Sequence, residues 1–146
     1  MTPHQIALVR RSFAVLVPQA PQAAALFYAN LFSADPALRA MFRGDMAAQG
    51  DLLMRMIQRA VGLLDQPSVL LPVLRGLGAR HAGFGVRNEH YGAVGRALLR
   101  TVGQALGEAF TPDVADAWAS MYCLVAQTMQ QGAADAVEDR LAAVVV

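Results

Sequence analysis

Apolar residues in this chain recur at three- and four-residue intervals and nowhere alternate over a sustained run, which leaves helices as the means of burying them. Ile6, Val9, Phe13 and Leu16 form one such stripe; Leu70, Leu74, Leu77 and His81 form another. Tyr91, Val94, Leu98 and Val102 make a third, and Val114, Trp118, Met121 and Val125 a fourth. The punctuation between stripes has the chemistry of helix starts. Thr2-Pro3 with Gln5, Asp35-Pro36 and Thr111-Pro112-Asp113 each set a capping side chain before a proline, whose missing N–H costs nothing in a first turn. A second helix is expected from near Pro21, carrying Leu26, Phe27, Tyr28, Leu31 and Phe32, then a short one from Asp35 through Phe42 and a loop at Arg43-Gly44-Asp45. From about Met46 to Asp65 the pattern is helical again, with Gln49, Leu53, Met56 and Ala60 on one stripe. Ser68 is expected to cap the helix that leads to His81, with Pro72 in its first turn, and Arg87-Asn88-Glu89 opens the next helix. With no hairpin signal, repeat or low-complexity linker, the 146 residues read as a single all-α domain of six to eight helices. The tail after Gly132 is less defined, and Leu141 to Val146 is apolar enough to pack on a neighbour or fray.

Hydrophobic residues make up 55% of the chain and mean hydropathy is +0.36, yet no apolar run reaches the roughly 18 residues a membrane span needs. The surplus must be buried against itself, a second subunit or an apolar ligand. Twelve arginines, no lysine and eleven acids spread along the chain give a net charge of +1, so no basic block points to nucleic acid or to a membrane surface. One cysteine, Cys123, excludes a disulfide framework and reads as a small core thiol. The amino terminus lacks the pattern of a signal peptide, so a cytoplasmic location is expected.

Several kinds of chemistry are excluded by the residues present. One cysteine and the scattered His4, His81 and His90 cannot assemble a zinc site, Cys123 lies within a helical stripe rather than in an exposed nucleophile elbow, and no glycine-rich loop follows a strand. His81 differs from the other two histidines. It ends an apolar stripe and is followed at once by Gly83, Phe84 and Gly85, which hold its imidazole at the edge of an apolar interior. A histidine there is either a hydrogen-bonded core residue or a ligand, and its own surroundings leave both open. With Tyr28, Gln49 and a surplus of Leu, Met, Phe and Val, it suits a large flat apolar cofactor whose metal already has four in-plane ligands.

At this point the chain resembles the globins, over about Ile6 to Gln131, and most of all the bacterial single-domain haemoglobins and the haem domain of flavohaemoglobins. The likeness rests on Leu26-Phe27-Tyr28-Ala29-Asn30-Leu31-Phe32, Asp35-Pro36, Met41-Phe42 and His81. Leu106-Gly107-Glu108-Ala109-Phe110-Thr111-Pro112 and Ala117-Trp118 are also similar to neuroglobins. The resemblance implies a three-over-three helical sandwich around haem b, with Phe42 stacked on the haem and His81 as proximal iron ligand. Its other ring nitrogen would be held by a backbone carbonyl near Leu77. Gln49, 32 residues before His81, falls at the distal position with Leu53 one turn on, and Tyr28 joins them on the ligand side. Leu53, Met56, Leu74, Leu77, Val86 and Val94 are implied as pocket walls, and Arg80 and Arg87 as partners for the propionates.

The implied function is reversible binding of dioxygen, CO and NO at a pentacoordinate iron, for oxygen storage or delivery, by a monomer or homodimer. A nitric oxide dioxygenase or peroxidase-like enzyme served by a separate reductase is one alternative. A gas sensor with an internal sixth ligand from Tyr28, Gln49 or a methionine is the other. One departure bears on the choice. Flavohaemoglobins back the proximal histidine with a tyrosine, matched by Tyr91, and with a glutamate late in the last helix, where this chain has Ala133 with Asp135 and Glu138 out of register. No flavin or nicotinamide domain is expected within the chain.

Overall fold

A computed structural model describes residues 1–145; Val146, the end of the apolar tail, lies outside the described residues. Six α-helices carry the described chain: α1 (Pro3–Leu16), α2 (Ala20–Ala34), α3 (Met46–Gly62), α4 (Pro67–Gly83), α5 (Asn88–Leu106) and α6 (Pro112–Val145). Three 3-10 turns join them at Val17–Gln19, Pro36–Met41 and Gly107–Ala109. The helix starts follow from local chemistry. Thr2 and Gln5 exchange reciprocal bonds, Gln5 N donating to Thr2 Oγ1 at 3.1 Å and Thr2 N to Gln5 Oε1 at 3.0 Å. Asp45 Oδ1 accepts from Ala47 N at 3.0 Å to open α3, and Thr111 Oγ1 accepts from Val114 N at 3.3 Å to open α6.

The start of α4 differs from expectation. Gln66 is its N-cap and makes no side-chain capping bond, so Ser68 lies inside the first turn rather than before it. Pro67 takes the first helical position, which places Pro72 in the body of the helix. Cys123 is exposed, against the expectation of a core thiol. It falls on the outward stripe Asp116, Ala119, Cys123 and Gln127, while Ala117, Trp118, Met121 and Met129 face inward.

The helices form two layers, with α1, α3 and α4 laid over α2, α5 and α6. Between them Val9, Phe13, Leu31, Leu70, Val102 and Trp118 are fully or almost fully buried. Ser12, Asn30 and Thr101 inside this core are paired. Trp118 Nε1 donates to Ser12 Oγ at 2.8 Å, and Ser12 Oγ donates to Leu8 O at 2.7 Å. Asn30 Nδ2 donates to Thr101 Oγ1 at 3.0 Å and Gln104 Oε1 at 2.9 Å, which ties α2 to α5. Asn30→Ala is therefore expected to cost about 1–3 kcal/mol, measured by urea unfolding, because it strips buried partners rather than surface ones.

Arg10 ties α1 to the end of α3, its guanidinium donating to Val61 O and Gly62 O, both at 3.2 Å, and to Asp65 Oδ1 at 2.9 Å. The bond from Arg10 holds the Asp65 carboxyl below its ordinary 3.8. That contribution is present above 3.8 and is lost as pH falls through the lowered value, and the exposure of both side chains keeps it small. Among the described residues no helix is long and apolar enough to cross a membrane.

Candidate functional site

His81 sits two residues before the end of α4, held by both its backbone and its ring. Its carbonyl accepts from Phe84 N at 3.0 Å and Val86 N at 3.1 Å, so the turn after α4 hangs from this residue. Gly85 completes that turn at φ 88°, a conformation open to glycine. The ring Nδ1 lies 2.9 Å from Leu77 O, one turn back. A carbonyl accepts only, so Nδ1 carries the proton and Nε2 is left with its lone pair and no bonding partner among the described residues. Burial pushes the imidazole below its ordinary value despite the Leu77 bond, and nearby Arg80 adds to the lowering. The neutral, ligand-competent form is thereby favoured.

Tyr28, buried on α2, is set in an aromatic cluster that fixes its ring. Phe27 lies edge-on at 5.0 Å between centroids, Phe42 at 5.3 Å, and Phe32 stacks at 5.8 Å. Phe42 is carried there by the 3-10 turn after α2 and also meets Phe32 at 5.5 Å. Burial raises the Tyr28 hydroxyl above its ordinary value, and the nearby Gln49 side chain partly offsets this. Tyr28, Phe42 and Gln49, separate in sequence, are thus brought together as α2 meets α3. Leu53, one turn beyond Gln49, walls a small cavity of about 20 Å³ with Phe27, Ile57 and Leu98, among others.

The remaining wall residues fall into two groups. Leu74 and Tyr91 are buried, whereas Leu53, Met56, Leu77, Val86 and Val94 are half-buried, each leaving part of its apolar surface uncovered. Arg80 is exposed, with its guanidinium near Gly76 on its own helix, and exposed Arg87 pairs with Glu89 at 3.1 Å.

The Tyr91 hydroxyl is buried without a hydrogen-bond partner among the described residues, and burial raises it above its ordinary value. Ala133 is half-buried and offers no side-chain acceptor, while Asp135 and Glu138 are exposed. Tyr122 supports Tyr91 from behind: its hydroxyl donates to the Tyr91 carbonyl at 2.6 Å. That contact was not evident in the sequence, because an isolated tyrosine carries no sign of the backbone group it will meet. The capping role of His90, whose Nδ1 accepts from Arg87 N at 2.9 Å, was likewise hidden.

No three metal-binding side chains converge among the described residues, so a metal at His81 would need its other ligands from a cofactor. An imidazole nitrogen without a bonding partner, half-buried apolar side chains and an unpartnered buried hydroxyl fit a flat apolar group such as haem.

Comparison with known proteins agrees with this geometry. Residues 25–129 match the globin family model. Flavohemoproteins of Bordetella parapertussis and Chromobacterium violaceum are 34% and 33% identical over 125 residues, in each case 84% of this chain and 31% of the relative. The chain thus spans about a third of the length of the relatives it matches. Among solved structures, an engineered carbene transferase built on a nitric oxide dioxygenase candidate from Rhodothermus marinus superposes with a TM-score of 0.84 at 26% identity, covering 97% of this chain and 99% of that one. The all-helical two-layer fold and the family match lead to one conclusion: the chain belongs to the globin family.

Proposed function

We propose that these residues form one haem-b domain that binds dioxygen reversibly, and CO and NO as well, for storage or delivery. The observation that carries the reading is His81, with Nδ1 fixed on Leu77 O and Nε2 free to ligate. Haem, when held, would supply an iron able to bind a diatomic gas. His81 would hold that iron, Phe42 would stack against the ring, and Leu53, Met56, Leu74, Leu77, Val86 and Val94 would cover its faces and edges. Tyr91 would lie beside it. Arg80 and Arg87, both exposed, would be the partners for its propionates.

Tyr28 and Gln49 then act on the gas. Burial keeps the Tyr28 hydroxyl protonated and able to donate, and the aromatic cluster prevents its ring from swinging away. Dioxygen, which accepts negative charge from a ferrous iron, gains from such donors, whereas nonpolar CO gains little. Each bond contributes about 1 kcal/mol to a neutral acceptor and about 1.5–3 kcal/mol to a charged one. Tyr28→Phe is therefore expected to speed dioxygen dissociation by about ten- to a hundredfold, measured by stopped-flow displacement with CO, while CO association changes far less. Equal changes for both gases would contradict the assigned role.

A second reading, nitric oxide dioxygenase activity with a separate reductase, draws support from the flavohemoprotein relatives and the Rhodothermus marinus structure. The proximal side argues for binding over turnover. His81 is polarised by a backbone carbonyl, and among the described residues no carboxylate bonds it to strengthen it as an electron donor.

A further inference from the structure

The helix that carries His81 lies unusually close to α6, and two glycines make the approach possible. A Cβ on Gly78 of α4 would fall within 2.6 Å of Met129 Cα and collide with that residue's carbonyl. A Cβ on Gly132 of α6 would fall within 2.6 Å of Arg75 Cα and collide with the Arg75 carbonyl. Each glycine therefore meets the backbone of the opposite helix, where no side chain can turn aside to make room. Gly76, on the same helix, differs: its Cβ would meet only the Arg80 guanidinium, at 3.7 Å.

We infer that Gly78 and Gly132 are positioning residues for His81, their backbone-to-backbone crossing setting where the imidazole stands. The inference rests on the haem-binding role of His81 proposed above. Gly78 precedes His81 by three residues and adjoins Leu77, whose carbonyl holds the ring, so crossing, carbonyl and imidazole share one rigid turn of α4. Relieving a collision of this size separates the helices by roughly 1 Å. At 100° per residue, the face bearing Leu77 and His81 lies about 100° round α4 from the face bearing Gly78 and Arg75. Separation from α6 thus carries the imidazole mainly sideways across the pocket rather than deeper into it, tilting the bond made by Nε2.

The test compares Gly78→Ala, Gly132→Ala and Gly76→Ala with the wild type. Circular dichroism checks the fold, resonance Raman reads the iron–histidine stretch of the ferrous haem protein, and transfer to apomyoglobin reads haem retention. Both crossing variants are expected to keep their helices, shift the stretching band and lose haem roughly tenfold faster, the scale of effect seen when a ligand's support is disturbed. Gly76→Ala should match the wild type. In a His81→Gly background with added imidazole, the axial ligand is free of α4, and Gly132→Ala should no longer move the band. An unmoved band in folded crossing variants, an equal shift in Gly76→Ala or a shift that persists with free imidazole would overturn the inference. So would loss of helicity in both crossing variants with Gly76→Ala intact, since the glycines would then serve the fold rather than the histidine. If the wild type takes up no haem, the functional reading fails by itself, and NMR of the apoprotein still decides the positioning claim. His81 ring resonances should move in the crossing variants and not in Gly76→Ala.

Discussion

His81→Gly is expected to abolish stable haem retention, with imidazole at millimolar concentration restoring it in part. Disturbing only the groups around a metal ligand costs roughly 10- to 100-fold in affinity, so removing the ligand itself should exceed the upper figure. The apolar walls remain in the variant, because Leu74 is buried and Leu77, Val86 and Val94 pack on the core independently of the ring. Weak, uncoordinated haem association should therefore persist while the absorption bands of histidine ligation vanish. Haem transfer to apomyoglobin gives the rate. Retention equal to that of the wild type would place the iron ligand elsewhere.

Trp118→Ala should produce the largest loss of fold stability. Trp118 has no solvent exposure, packs its ring 6.3 Å from that of Phe13 and donates to Ser12 Oγ. Truncation removes a large apolar surface, opens a cavity between α1 and α6, and leaves Ser12 without the Trp118 donor. The expected cost is about 3–5 kcal/mol, a large share of the stability of a domain of this size. Urea unfolding of the apoprotein, followed by circular dichroism, would show the midpoint falling steeply. Because the site residues lie on other contacts, haem added in excess should recover much of the lost stability by mass action. Trp118→Phe, which keeps most of the ring volume, should cost far less.

How much of this was legible beforehand depended on whether a residue's role was local. The Thr2-Gln5 cap and the Thr111 start could be read because their partners lie three residues away. The all-helical class followed from apolar spacing for the same reason. The start of α4 was misread because Ser68 is a better capping residue than Gln66, yet Pro67 had already fixed the first helical position. Cys123 was misplaced because its neighbours Leu124 and Val125 are apolar, while its position on the helix turns it outward. Assembly of the pocket depends on partners far apart in sequence. Nothing near Tyr28 indicates that Gln49 will come near its hydroxyl, and it is the resemblance to a family that pairs them. The contact of Gly78 with the Met129 backbone was still less visible, since a glycine within a helix reads only as a local weakness.

In the proposed function a single histidine on α4 holds haem and leaves its iron open to a gas. It is read directly in the absorption spectrum of the purified, haem-reconstituted protein in its ferrous state, before and after addition of CO. A five-coordinate ferrous spectrum is expected, converting fully to a six-coordinate spectrum on adding CO, with the starting bands lost in His81→Gly. A chain that forms no Soret band with haem, or a ferrous spectrum already six-coordinate before CO, would contradict it.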